Sequence, residues 1–239
     1  MKTRHGVGVV ALISIACGAR ADIVYQNENL PPLSAHEFFN NSQGTETEDS
    51  WVANAFQVVA GGTHITSFTF LVGETSAGAN IPSLALTYCL YTGTSLTSPA
   101  GLSRIAGSTN STTLTNPAVN TFVTLNLATP IDLPVGQVFY AAMLAPGTPG
   151  NIFPFSSDFG QTGGPPPLGR SFFDVGPTQG APYNLDVTTN ATVLGGSHPV
   201  VTQAQDPGNL ALRVNAVPAP SSLGLLGLGG LIAARRRRS

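Results

Sequence analysis

The chain has 239 residues, with 42% hydrophobic but only 9% charged side chains, and a formal net charge of −2 that hides a strong division along its length. Residues 22 to 216 hold three basic side chains, Arg104, Arg170 and Arg213, against all twelve acidic ones, a net of −9. A surface of that sign repels phosphate backbones, which argues against nucleic acid as a partner and leaves cations as the charged ligands.

At the N-terminus, Lys2, Arg4 and His5 precede an apolar run from Val7 to Ala16, and Ala19-Arg20-Ala21 follows with small residues at both positions a signal peptidase reads. This three-part layout predicts a signal peptide over residues 1–21 and a mature chain starting at Asp22. The competing reading, a buried N-terminal helix, is disfavoured because polar sequence follows the small-residue gate. Lipidation at Cys17 is disfavoured as well, since Ser14 stands three positions before it where such sites usually carry Leu. After signal removal only Cys89 remains, so no internal disulfide is available and stability must come from the core. About 195 residues suffice for one, burying roughly 70% of the surface an unfolded chain exposes.

Along residues 22–216, apolar side chains recur with period two between turn residues. Thr45 to Ala60 has no Gly or Pro and offers Thr45 and Glu48 as a capping pair, so a short helix or loop is expected there, followed by a strand through Phe56, Val58 and Ala60. Phe68, Phe70 and Val72 share one strand face, and Leu84, Leu86, Tyr88 and Leu90 share another. Cys89 sits within that second strand, where a small apolar residue is the expected role. Val123, Leu125 and Leu127 form a further strand face, followed by the run 138–144 and, near the end, by Leu210, Leu212 and Val214. Gly61-Gly62, Gly93, Pro117, Pro130 and Pro134-Val135-Gly136 punctuate these runs as turns do. Between Pro146 and Gly180, with Gly163-Gly164-Pro165-Pro166-Pro167 at its centre, a long loop is expected within the same domain. Eight or so short strands of this kind predict an all-β fold, an antiparallel β-sandwich of jelly-roll type.

At the C-terminus, Val217-Pro218-Ala219-Pro220 leads into the apolar stretch Leu223 to Ala234 and then Arg235-Arg236-Arg237-Arg238-Ser239. As a helix the apolar stretch rises only about 18 Å, against a hydrocarbon core of about 30 Å, so it makes a short transmembrane segment and a marginal anchor. Snorkelling of the four guanidinium groups narrows the mismatch and holds that end on the cytoplasmic side.

The order of these three parts resembles the PEP-CTERM sorting tail, with Ala219 standing where that family most often has Glu. The resemblance implies recognition and cleavage by a membrane protease of the exosortase type, membrane association through the tail before processing, and a destination at the cell envelope, outer surface or extracellular matrix. The organisation is then a signal peptide (1–21), a β-sandwich ectodomain (22–216) and a sorting tail (217–239). A second resemblance, carried by Trp51-Val52-Ala53-Asn54-Ala55-Phe56, Ile65-Thr66-Ser67-Phe68, Leu86-Thr87-Tyr88-Cys89-Leu90-Tyr91 and Gly208-Asn209-Leu210-Ala211-Leu212-Arg213-Val214, is to the exported ectodomains grouped as choice-of-anchor domains. It implies a sandwich of unassigned biochemical function.

The sequence has no GxSxG, HExxH, Walker or dinucleotide fingerprint, so no enzyme class is signalled and no cofactor is expected. Glu46, Glu48 and Asp49 offer hard oxygen ligands to Ca²⁺, joined by Asp158 or Asp174, but their spacing is not that of an EF-hand and a solvated acidic loop is the simpler account. A carbohydrate-binding module would need exposed aromatic platforms, for which Trp51, Tyr25, Tyr183, Phe159 and Phe172 are the candidates and Phe159 and Tyr183, beside Gly/Pro-rich segments, the better ones. Ice binding has slight support, only Thr45-Glu46-Thr47 having the required spacing, and a glycosidase carboxylate pair is not identifiable. The leading reading is a structural or adhesive surface protein, and the alternative is a carbohydrate-binding module partnered with extracellular polysaccharide. Residues 22–216 expressed alone are expected to give a soluble monomer with a β-type far-UV circular dichroism spectrum, and a helix-dominated spectrum would overturn the fold reading.

Overall fold

The computed structural model describes residues 22–28, 42–43, 46–47, 49–75, 78–147, 152–156, 170–175, 184–186, 192–193 and 209–218. Among these, every regular element is a strand: β1 (Ile23–Tyr25), β2 (Ser42–Gln43), β3 (Glu46–Thr47), β4 (Ser50–Gln57), β5 (His64–Thr75), β6 (Ser83–Gly93), β7 (Ser103–Arg104), β8 (Asn110–Thr115), β9 (Phe122–Asp132), β10 (Val138–Ala145), β11 (Ile152–Phe155), β12 (Ser171–Val175), β13 (Thr192–Val193) and β14 (Leu212–Val217).

All pairings are antiparallel. A five-stranded sheet runs β1-β14-β5-β11, with β9 also on β5; a seven-stranded sheet runs β13-β12-β4-β10-β6-β7, with β8 also on β6; β2 and β3 pair separately. The two large sheets stack because each presents an apolar face of period two. Phe68, Phe70, Val72, Leu125 and Val214 from the smaller sheet meet Val52, Phe56, Leu86, Leu90, Phe139 and Met143 from the larger one in a single buried cluster. Edge-on aromatic contacts bridge the layers, Phe68 against Tyr88 at 5.4 Å and Tyr25 against Phe139 at 5.3 Å between ring centroids. The strand faces read from the sequence at Phe68 to Val72, Leu84 to Leu90 and Leu125 to Leu127 point inward, whereas the strand expected through Phe56, Val58 and Ala60 stops at Gln57 and Ala60 is exposed in the turn that follows.

Three expectations require correction. The 45–60 stretch forms no helix among its described residues: Glu46–Thr47 is β3, and Ser50–Gln57 is a strand because Val52 and Phe56 fill the inter-sheet core while Trp51, Ala53 and Ala55 fill a second cluster on the opposite face. A strand covered on both sides loses the polar alternation by which it is recognised. The 146–180 stretch is not one long loop, since it contributes β11 beside β5 and β12 beside β4. Pro130 does not end a strand but lies inside β9, at the irregularity where the register against β5 slips between Ile65 and Ser67, a place where a missing N–H costs nothing.

The second cluster gathers Trp51, Ala53, Ala55, Cys89, Tyr91, Tyr140, Ala142, Leu144 and Phe172 on the outer face of the larger sheet. Leu96, Leu102 and Leu185 pack over it. The covering segments are fixed by polar bonds: the Tyr140 hydroxyl donates towards the carbonyls of Ser95 and Ser98 (2.7 and 2.6 Å), and the Tyr91 hydroxyl donates to that of Leu185 (2.7 Å). Arg104 grips Asp186 with two parallel bonds of 2.8 and 2.9 Å, holding the same segment from the sheet edge.

One buried polar group ties the sheets to each other. Asn54 of β4 is fully buried, and its amide donates to the carbonyls of Leu210 (3.0 Å) and Leu212 (2.8 Å), which open the path into β14. Its carbonyl oxygen accepts from Ser171 Oγ (2.6 Å), which itself accepts from the Leu210 N–H (3.0 Å). Asn54→Ala is expected to leave several buried groups unsatisfied at about 1–3 kcal/mol each, lowering stability by roughly 2–4 kcal/mol in total. A denaturant midpoint unchanged from wild type would show that the network is dispensable.

Candidate functional site

The described residues that border the two expected processing segments, Asp22, Val217 and Pro218, fall at one end of the sandwich, where the chain enters and leaves it. Asp22 is exposed and immediately precedes β1. Ile23 is the register partner of Ala216, and Val24 that of Asn215, so the start of β1 lies beside the end of β14. On its other side β14 pairs with β5, Ala216 opposite Ile65 and Val217 opposite His64. Val217 is therefore the last residue held by the sheet, and Pro218, which offers no N–H to continue the ladder, follows it.

The loops beside this exit are held by hydrogen bonds. Tyr25 is the pin: its hydroxyl donates to the Gly62 carbonyl (2.8 Å) and accepts the Val59 N–H (3.1 Å), which fixes the turn between β4 and β5. Gly62 is required by that approach, because a Cβ there would stand 2.3 Å from the Tyr25 oxygen. Burial raises the Tyr25 phenol above its ordinary value, so the pin keeps its proton through the neutral range. The neighbouring turn, Pro134 to Gln137, closes through the Gln137 N–H on the Pro134 carbonyl (3.1 Å) and uses Gly136 at a φ of 86°. The Gly136 N–H donates to the Val58 carbonyl (2.8 Å), and Leu133 N–H to that of Thr63 (2.8 Å), so the two turns brace one another.

The other sequence candidates are dispersed. Asp49 accepts the Gly147 N–H at 2.9 Å, while Glu48 and the Glu46 side chain lie outside the described residues, as does Asp158. Asp174 is buried in β12 opposite Trp51. Among the described residues no group of three or more His, Cys, Asp or Glu side chains gathers as a metal site would. Trp51, Tyr25 and Phe172 are buried core residues and cannot serve as exposed platforms. Phe159 and Tyr183 lie outside the described residues, as do residues 1–21 with Ala19 and Ala21, and Ala219, Pro220 and Arg235 to Arg238.

A pair with no sequence signal is Glu28 with Arg213, 185 positions apart. The Glu28 carboxylate is buried and receives the Arg213 guanidinium, which also lies 4.0 Å over the Phe122 ring. The pair fastens the segment after β1 to β14, with the Glu28 carboxylate buried and Arg213 half-buried, which marks it as structural.

Among its described residues the chain is thus an all-β protein of antiparallel sheets, whose last strand, β14, leads in sequence directly to the C-terminal tail. A PEP-CTERM protein-sorting motif matches residues 216–238, so its first two positions, Ala216 and Val217, are strand residues. That motif marks an exported protein of the cell envelope or surface whose sorting depends on an exosortase, a membrane protease. No curated protein and no solved structure matches the chain.

Cys89 is almost completely buried in the second cluster, beside Tyr91, and burial pushes its thiol up to about 11. It is expected to react slowly with thiol reagents in the native state and quickly in denaturant. Because the folded value lies above the unfolded one near 9, its contribution to stability is complete below pH 9 and is lost as pH rises through about 11. Cys89→Ala should then flatten the alkaline fall in stability by on the order of 1–3 kcal/mol, measured by denaturation at stepped pH, and an identical pH profile would overturn this role.

Proposed function

We propose that this protein is an exported surface or matrix component with a structural or adhesive role, delivered by exosortase-dependent processing of its C-terminal tail. The observation that carries the reading is the sorting motif over residues 216–238, in which Val217-Pro218-Ala219-Pro220, the apolar stretch and Arg235 to Arg238 keep their order and spacing. In this reading residues 1–21 are a signal peptide cleaved before Asp22, and Leu223 to Ala234 form a short membrane helix. The ectodomain acts without enzymatic chemistry or a cofactor, in keeping with a sequence that carries no catalytic motif.

The finer architecture we assign is a jelly-roll-type winding. The connections β4 to β5, β5 to β6, β8 to β9 and β9 to β10 each cross between the sheets, whereas β6 to β8 stays within one. An acidic ectodomain without lysine and a core that needs no disulfide suits a protein exposed outside the cell. The carbohydrate-binding alternative rests on Phe159 and Tyr183, the other aromatic candidates being buried. Saturable glycan-array binding lost in Tyr183→Ala would favour that alternative.

The three parts of the tail should fail differently. Neutralising Arg235 to Arg238 removes the cytoplasmic stop, and a helix about 12 Å shorter than the bilayer core is expected to slip through and release the protein uncut. Replacing Pro218 and Pro220 should spare the anchor but block cleavage, because the prolines keep the preceding segment extended for a protease. Membrane fractionation with mass measurement of the released C-terminus distinguishes these outcomes. Normal cleavage of the Pro variants, together with a mature wild-type protein that keeps Arg238, would overturn the sorting reading.

A further inference from the structure

Among the described residues the large apolar side chains left exposed are Val24, Val59 and Val135, at 46%, 47% and 60%. Single exposed valines on a protein surface are ordinary. Their location is not random here. Val24 lies in β1 beside the end of β14, Val59 in the turn between β4 and β5, and Val135 at the tip of the turn between β9 and β10. The register places all three at one pole: Val217 opposite His64 at the start of β5, Asp132 opposite the same His64 at the end of β9, and Val138 opposite Gln57 at the end of β4.

This is the pole through which the chain enters at Asp22 and leaves at Pro218. The turns that carry Val59 and Val135 are held by Tyr25, by the Gly136 bond to Val58 and by the Leu133 bond to Thr63, so both side chains are presented on a fixed frame. The tether beyond it is short. Leu223 begins the apolar stretch six residues after Val217, a fully extended reach of about 20 Å, whereas β5 spans 12 residues and places the opposite pole about 36 Å away. A domain so tethered to a membrane segment cannot turn its far pole to the bilayer without the chain running back over its surface.

We propose that, while the tail is in place, the sandwich stands on the lipid surface by the pole that holds Asp22 and Pro218, with Val59 and Val135 turned to the headgroup region. This inference rests on the reading of Leu223 to Ala234 as a membrane segment. Its occupant is lipid. The acidic groups described at or beside this pole are Asp22, Asp132, whose carboxylate lies 2.6 Å from His64 Nδ1, and Asp186, which is paired with Arg104 opposite Tyr91 near the end of β6. The docking is therefore apolar and steric, driven by the tether, and it ends when the tail is removed. The opposite pole, where Ala118 is exposed beside the Asn116 bond to Pro82, then projects outward as the face available to other surface components.

The test uses the full chain with its tail, reconstituted in vesicles of phosphatidylethanolamine and phosphatidylglycerol. On a Cys17→Ser, Cys89→Ala background, Val59→Cys, Val135→Cys and Ala118→Cys are labelled with a membrane-impermeant maleimide, each rate being divided by its own rate in detergent. The expected result is labelling at least about fivefold slower in vesicles at positions 59 and 135, as burial at the headgroup boundary dictates, and unchanged labelling at position 118. Equal ratios at all three positions in protein that floats with the vesicles would overturn the orientation while leaving the membrane-segment reading intact. Protein that fails to float would overturn that reading and the orientation with it.

Discussion

Asn54 is the joint on which the two layers depend. A side-chain amide in a dry core must satisfy both donors and its acceptor, and Asn54 does so on backbone carbonyls at 210 and 212 and on Ser171 Oγ. Apolar contact between sheets is tolerant of sliding. These directional bonds are not, because a shift of one residue would leave buried carbonyls without donors. The partners lie 117 to 158 positions away in the chain, so one residue of β4 fixes where the last third of the chain rejoins the fold.

The larger sheet then behaves as the central layer of the molecule. Its inner face belongs to the sandwich core, and its outer face is covered by Leu96, Leu102 and Leu185 over Trp51, Tyr91, Tyr140 and Phe172. Burying these four aromatics on a second face brings apolar contact but also two hydroxyls, those of Tyr91 and Tyr140, that need partners. Each finds a carbonyl in a covering segment, and burial holds Tyr140 up at about 12 and raises Tyr91 further, so both remain neutral donors. Cys89 shares that environment, and a thiol kept from ionising there has lost the reactivity a surface cysteine would show.

The exit of the chain is part of the same design. β14 lies between β1 and β5, so the strand that opens the sorting motif is anchored on both sides. Cleavage beyond Pro218 leaves each of its paired residues in the sheet. Such a cut therefore removes none of the pairings of β14 with β1 and β5.

How much of this was legible beforehand follows from which interactions are local. The sorting tail was readable because its parts act in order along the chain, and the strand faces at Phe68 to Val72 and Leu84 to Leu90 were readable because one side of each meets the core. The short helix or loop expected before a strand near residues 45–60 gave way to β4 itself, because β4 is covered on both faces, which erases its alternation, and the expected loop at 146–180 hid β11 and β12, strands of four and five residues. The pairing of Glu28 with Arg213, the burial of Trp51 and the placing of β1 beside the end of β14 at one pole were decided by tertiary structure alone. Periodicity and order are properties of neighbours in sequence, whereas these are contacts between residues brought together only by folding.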